Sequence, residues 1–270
     1  MSRPRTPGAG SPGAVVVGAY LRALRESTIG LHLLDVTSAA GYRSTKTVLR
    51  MERAETRQRF SVIVALLRLY EVWTPQEEQA VLDLVRQGDQ PLDKHGASAR
   101  DRLASCWCAA EEIRTSASRW LPPSVQSTAY AAEYAKTHPA ESNACPDFPE
   151  PAAGRLLTLL VNEDILTRPV GGPEAMARQL ARLQDLILEG ILVLRIVPAS
   201  VQSAVPRSLT QFDLNGQVRL YAEELPDGVR YSPGPEPGAA LDRLEAGAYS
   251  LAVGYDRLEA ARAAFAEGRS

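Results

Sequence analysis

The chain is poor in the residues that build metal sites and disulfide frameworks: its 270 residues hold three cysteines and three histidines. Cys106, Cys108 and Cys145 are an odd, sparse set, which argues against a disulfide scaffold and fits a reducing compartment. Cys106 and Cys108 stand two apart, so they do not share one face of a helix. His32, His95 and His138 have no motif partner nearby, so neither a zinc site nor a Ser-His-Asp set is expected, and no cofactor. Long apolar runs are missing too. The most apolar stretches, SVIVALLRLY and LILEGILVLRIVPA, carry charges and fall short of the roughly 20 residues of a membrane span. The opening MSRPRTPGAGSPG lacks the apolar core of a signal peptide and reads as a disordered, slightly basic tail over residues 1–13.

What is present is ordinary globular composition, 45% hydrophobic and 23% charged, in a chain long enough for two modest domains. The net charge of −2 is unevenly spread. Residues 14–73 carry nine Lys/Arg against five Asp/Glu, and the chain from Thr74 onward carries 19 against 27. A basic front and an acidic rear leave only the front suited to a phosphate backbone.

The front reads as five short helices. Val15 to Glu26 has one apolar stripe of Val17, Tyr20, Leu21 and Leu24. Leu33 to Ala39 follows, closed by Gly41 at a place suited to a left-handed cap. The third helix runs from Ser44 to about Arg53, with Ser44 or Thr45 capping it. The fourth runs from Ser61, as its start signal, to Tyr70. The fifth lies in WTPQEEQAVLDLVRQG, with Pro75 in its first turn and Gly88 at its end. GDQPLDKHG is a polar linker, and helix resumes from Ala97 to Glu112. Beyond it the pattern mixes types. IRTSASRWLPPS is extended, a short helix capped by Ser127 or Thr128 runs through Ala135, and THPAESNACPDFPEPAAG is a loop. LLTLLVNEDIL is strand-like at its start, and GGPEAMARQLARLQDLILEG is an amphipathic helix with Met176, Leu180, Leu183 and Ile187 on one side. ILVLRIVP, SLTQFDL, QVRLYAEEL and GVRYS read as strands, PGPEPG as a breaker, and the end as helix broken near Gly247 or Gly254. The fold class is a mainly α helix-turn-helix bundle over residues 14–90, followed by an α+β domain over 97–270.

A tight turn between the second and third helices is the layout of a helix-turn-helix, whose third helix would lie in the major groove. With Val48 and Met51 inward, Thr45, Lys46, Leu49, Arg50 and Arg53 face outward. Lys46 and Arg50 suit phosphate or guanine, while Thr45 and Thr47 suit phosphate or a thymine methyl. Arg43 and Ser44, at the start of the helix, complete the candidate DNA-binding set. On pattern alone, a basic solvated helix in a bundle fits as well.

The front also resembles the lambda-repressor-like, XRE-type helix-turn-helix, through LRALRES, TVLRMERAE and VIVALLRLYEV. The rear resembles the domain of unknown function behind such modules in actinomycete regulators. IRTSASRWLPPSVQSTAYAAEYA and LVNEDILTRPVGGPEAMARQLARLQDL carry that likeness, and RPVGGPE is its most specific part. The resemblance implies a cytoplasmic, homodimeric transcription factor modulated through its rear domain by a small partner protein, in an antitoxin-like pair. The chain departs from the pattern in places. The usual Thr-Gln at the start of the second helix is His32-Leu33, Ile29 looks inserted, Leu49 replaces a small polar residue, and Ala54 stands where Gly is usual.

Catalysis is not expected. Glu111 with Glu112 and Glu163 with Asp164 are adjacent carboxylates whose side chains diverge, so they read as solvated surface charge. Gly171-Gly172-Pro173 lacks the lysine and spacing of a P-loop and reads as a turn into a helix. The reading is a sequence-specific DNA-binding regulator controlled by a small partner protein or ligand. The alternative is a degenerate helix-turn-helix interaction protein, and an enzyme in the rear domain is the third choice.

Overall fold

The computed structural model describes residues 10–94, 98–137, 155–202, 208–216 and 218–268. The chain packs as two compact units: residues 1–110 with 213–233, and residues 111–212 with 234–270. The architecture is an α-helical front followed by an α+β rear. Most of the expected 1–13 tail and of the expected 137–154 loop lie outside the described residues; Thr137 ends a helix instead.

In the first unit α1 spans Pro12–Ser27, two residues into the expected tail, with the Ser11 hydroxyl accepting from Ala14 N and Pro12 needing no donor in the first turn. It is not one-sided as the stripe suggested: all ten residues from Pro12 to Leu21 are buried. Two glycines make this possible. A Cβ on Gly13 would stand 1.9 Å from the carbonyl oxygen of Leu84, and one on Gly18 would stand 2.2 Å from that of Glu52.

Four helices follow: α2 (Leu33–Ala39), α3 (Thr45–Glu52), α4 (Phe60–Leu69) and α5 (Pro75–Arg86). Pro75 opens α5 as expected, and Thr74 caps it, accepting from Glu77 N at 3.0 Å. Ser61 does not cap α4; the helix starts one residue earlier, and its N-cap residue Arg59 makes no side-chain cap bond. The turns after α2, α3 and α4 share one design. The first residue past the cap is left-handed, and the next donates its N–H back to the last turn: Tyr42 to Thr37, Glu55 to Arg50, Val72 to Leu67. Gly41 fills the left-handed place after α2, but Ala54 (φ 55°) and Glu71 (φ 60°) fill it after α3 and α4.

The expected polar linker contains a strand, β1 (Leu92–Lys94), and the following helix α6 is shorter than expected, Ala99–Ala109. The partner of β1 comes from far along the chain. Strand β7 (Gly228–Ser232) pairs antiparallel with it, Asp93 opposite Val229, and β6 (Val218–Leu225) pairs with β7 on the other side. Beneath β1 lies an ion network. Arg102 of α6 donates through Nε and Nη2 to both oxygens of Asp93 at 2.8 and 2.7 Å, and through Nη1 to Glu77 of α5. Its guanidinium also lies 5.8 Å from the ring centre of Tyr20. Burial alone would lower the Arg102 pKa, but the hydrogen bonds and charges of Asp93 and Glu77 outweigh it and hold the group more firmly protonated than in water.

In the second unit β2 (Ala110–Ala117) takes residues 110–112 from the expected helix and runs parallel to β3 (Leu156–Asn162). Strand β3 runs parallel to β4 (Leu192–Val197), and β5 (Leu209–Leu214) lies on the other side of β2. The helices are α7 (Thr128–Thr137), α8 (Glu163–Thr167), α9 (Pro173–Leu188), α10 (Ala199–Gln202), α11 (Pro235–Gly247) and α12 (Leu251–Ala266). The expected breaker PGPEPG instead opens α11, because prolines in a first turn forgo donors that would have no intrahelical acceptor. The terminal helical region breaks just after Gly247, and Gly254 lies inside α12. Among the described residues no helix is long and apolar enough to cross a membrane.

Candidate nucleic-acid interface

The candidate site is built on α3. Val48 and Met51 are fully buried, as the spacing predicts, so the opposite face points away from the core. Ser44, not Thr45, caps the helix, accepting from Lys46 N at 3.3 Å. Arg43, Lys46, Arg50 and Arg53 are exposed, while Thr45, Thr47 and Leu49 are half-buried.

The helix is anchored from behind. Glu52 is buried and takes a two-pronged bond from Arg25 of α1, Nε at 2.7 Å and Nη2 at 2.9 Å. That hydrogen bond raises the Arg25 pKa against the opposing effect of burial. Gly18 lets the two backbones approach at the same place. Past the helix, the buried Gln58 donates to Ala14 O at 2.8 Å and to Met51 O at 3.1 Å, pinning the loop to α1 and α3. The Tyr42 hydroxyl reaches Met51 Sδ at 3.8 Å, and burial raises its pKa while the charge of Arg59 pulls the other way.

Between Gly41 and Phe60 six Lys/Arg stand against one exposed carboxylate, Glu55, since Glu52 is consumed in the core. Glu55 brings Arg50 and Arg53 together, at 3.3 and 3.8 Å. Arg57, Gln58, Arg59 and Phe60 line a cavity of about 440 Å³, and the Arg86 guanidinium covers the Phe60 ring at 4.8 Å. Sequence reasoning missed Arg57 and Arg59 because they lie beyond the helix. Their signal was the continuation of arginines through TRQRF. It also missed Glu55 and the anchors Arg25, Glu52 and Gln58, which only a folded neighbour reveals.

At the start of α2, His32 N donates to the Asp35 carboxylate at 2.9 Å. Leu33, in the place where the resembled pattern has glutamine, is half-buried. Ile29 is fully exposed and Leu34 is 72% exposed.

In the second unit the RPVGGPE segment has a packing role. Arg168 donates to Arg119 O at 2.7 Å and lies 6.0 Å from the Trp120 ring centre. Gly171 and Gly172 have φ of 71° and 86° and turn the chain into α9. There Met176, Gln179 and Leu180 are completely buried. Gln179 accepts from Ser127 N at 2.6 Å and donates to Val125 O at 2.9 Å, tying α9 to the turn before α7. Glu111 and Glu112 are exposed. Glu163 is more than solvated charge: it accepts from Ala199 N, Tyr249 and Arg257. Arg114 is matched by Asp242, Glu245 and Gln211.

A family model described as a domain of unknown function, DUF5753, matches residues 101–257, more than half of the chain. No curated protein and no solved structure matches. The chain belongs to the DUF5753 family.

Proposed function

We propose that the protein is a sequence-specific DNA-binding transcriptional regulator, acting in the cytoplasm as a homodimer. Its DUF5753 region receives a small partner protein or ligand rather than performing catalysis. The observation that carries this reading is the outward side of α3 with the turn before it and the loop after it, where six cations, Arg43 among them, meet one exposed carboxylate on a helix anchored from behind. Lys46, Arg50, Arg53, Arg57 and Arg59 supply salt-dependent attraction to phosphate, and Thr45, Thr47, Leu49 and Arg50 choose bases. The test is chromatin immunoprecipitation of the tagged chain beside an Arg50→Ala Arg53→Ala variant. Sharp peaks sharing one palindromic motif, and lost in the variant, are expected. No enrichment above an untagged strain would overturn the reading.

Ile29 and Leu34 favour a second reading, an antitoxin-like interaction protein whose helix-turn-helix no longer reads DNA. Bare aliphatic side chains beside α2 suit a protein surface better than a phosphate. On this reading, heparin at low salt does not retain the chain, whereas a DNA reader elutes with steep salt dependence.

A further inference from the structure

One carboxylate stands among the cations of α3, and its two oxygens engage two different guanidiniums. Glu55 Oε2 lies 3.3 Å from Arg50 Nε, and Oε1 lies 3.8 Å from Arg53 Nη1. The backbone keeps it there. Ala54 turns left-handed, and Glu55 N donates to the carbonyl oxygen of Arg50 at 2.9 Å, so the side chain starts beside the helix end it must reach. A carboxylate shared by two guanidiniums stands where a DNA phosphate would stand, with the same charge sign and acceptor geometry.

We propose that Glu55 is a built-in competitor for DNA phosphate, which holds Arg50 and Arg53 and lowers the affinity of the protein for duplex of any sequence. The inference rests on the DNA-binding reading. A phosphate approaching Arg50 Nε or Arg53 Nη1 must displace the carboxylate, and one that takes the remaining donors of either guanidinium is repelled by the nearby charge of Glu55. Removing its charge frees two cations and releases more counterions on binding.

The experiment measures binding of the full chain to a random-sequence 30-base-pair duplex by fluorescence anisotropy across a salt series. Glu55→Gln should bind about three- to ten-fold more tightly than wild type, the combined weight of two exposed ion pairs. Its dependence of log affinity on log salt should be steeper by about 1–2, one phosphate for each arginine freed. Glu189→Gln, the same substitution at an exposed residue of the second unit, should leave affinity within about two-fold. In an Arg50→Ala Arg53→Ala background the gain from Glu55→Gln should vanish. Wild-type binding with unchanged or weakened affinity in Glu55→Gln overturns the Glu55 proposal alone, as does a gain that survives loss of both arginines. No salt-dependent binding by wild type or Glu55→Gln overturns the DNA-binding reading and this proposal with it.

Discussion

Replacing Arg102 by methionine should cost the first unit about 3–5 kcal/mol, because of what the replacement leaves behind. The Arg102 side chain is 2% exposed, and those of Asp93 and Glu77 are 1% and 8% exposed. Methionine fills the space of the aliphatic stem but provides no donor. Asp93 then loses both bonds that satisfied its two oxygens, Glu77 loses its partner, and two like charges face each other away from water. A hydrogen bond to a charged group contributes about 1.5–3 kcal/mol, so the three lost bonds alone would reach or exceed the quoted range if nothing relaxed. Urea unfolding followed by the fluorescence of Trp107, which is buried on α6 in the same unit as the network, reads the loss in the right unit once Trp73 and Trp120 are changed to phenylalanine. A companion variant, Arg102→Met with Asp93→Leu and Glu77→Leu, should recover to within about 2 kcal/mol of wild type, since apolar packing replaces a buried ion cluster at small net cost. If the single variant lost less than about 1 kcal/mol, the network would weigh no more than an exposed pair, and the argument for its role would fail.

Other outcomes follow from the same structure. Ala54→Gly should stabilise by about 0.5–1 kcal/mol, because glycine removes the left-handed strain at φ 55°; an unchanged urea midpoint would show that the lost methyl contact cancels it. Gly18→Ala should destabilise by about 1–3 kcal/mol although alanine is the better helix former, since the new Cβ meets the Glu52 carbonyl; a gain in stability would mean α1 and α3 separate freely. Burial pushes the Cys106 thiol well up, so at pH 8 almost none is thiolate. In a Cys145→Ser variant, a thiol-exchange reagent should label the half-buried Cys108 and spare the buried Cys106 until the protein unfolds; two equally fast thiols would contradict this.

What could be read from the residues was what local chemistry dictates. The bounds of α2, Pro75 in the first turn of α5, the left-handed Gly41 and the inward Val48 and Met51 all follow from spacing and capping rules. The misses depend on distant partners or on residues used against type. Leu92–Lys94 sits among polar residues and becomes a strand only because β7 arrives beside it. The last turns of α3 and α4 end on left-handed Ala54 and Glu71, where no glycine marks the place. The candidate site was legible as a basic outward face on α3. Glu52 and Glu55 look alike in sequence, yet one is a core anchor and the other a surface carboxylate, and only burial separates them.

Strand β1 carries a consequence for the order of synthesis. Lys94 leaves the ribosome 134 residues before its ladder partner Gly228. At ordinary elongation rates of roughly 5–20 residues per second, that is a wait of about 7–27 s. During it the front helices can gather around α1 and Arg102 can find Asp93 and Glu77, but β1 waits without its ladder partner. Strands β6 and β7 arrive last, after most of the second unit has been made, so the first unit is begun first and completed late.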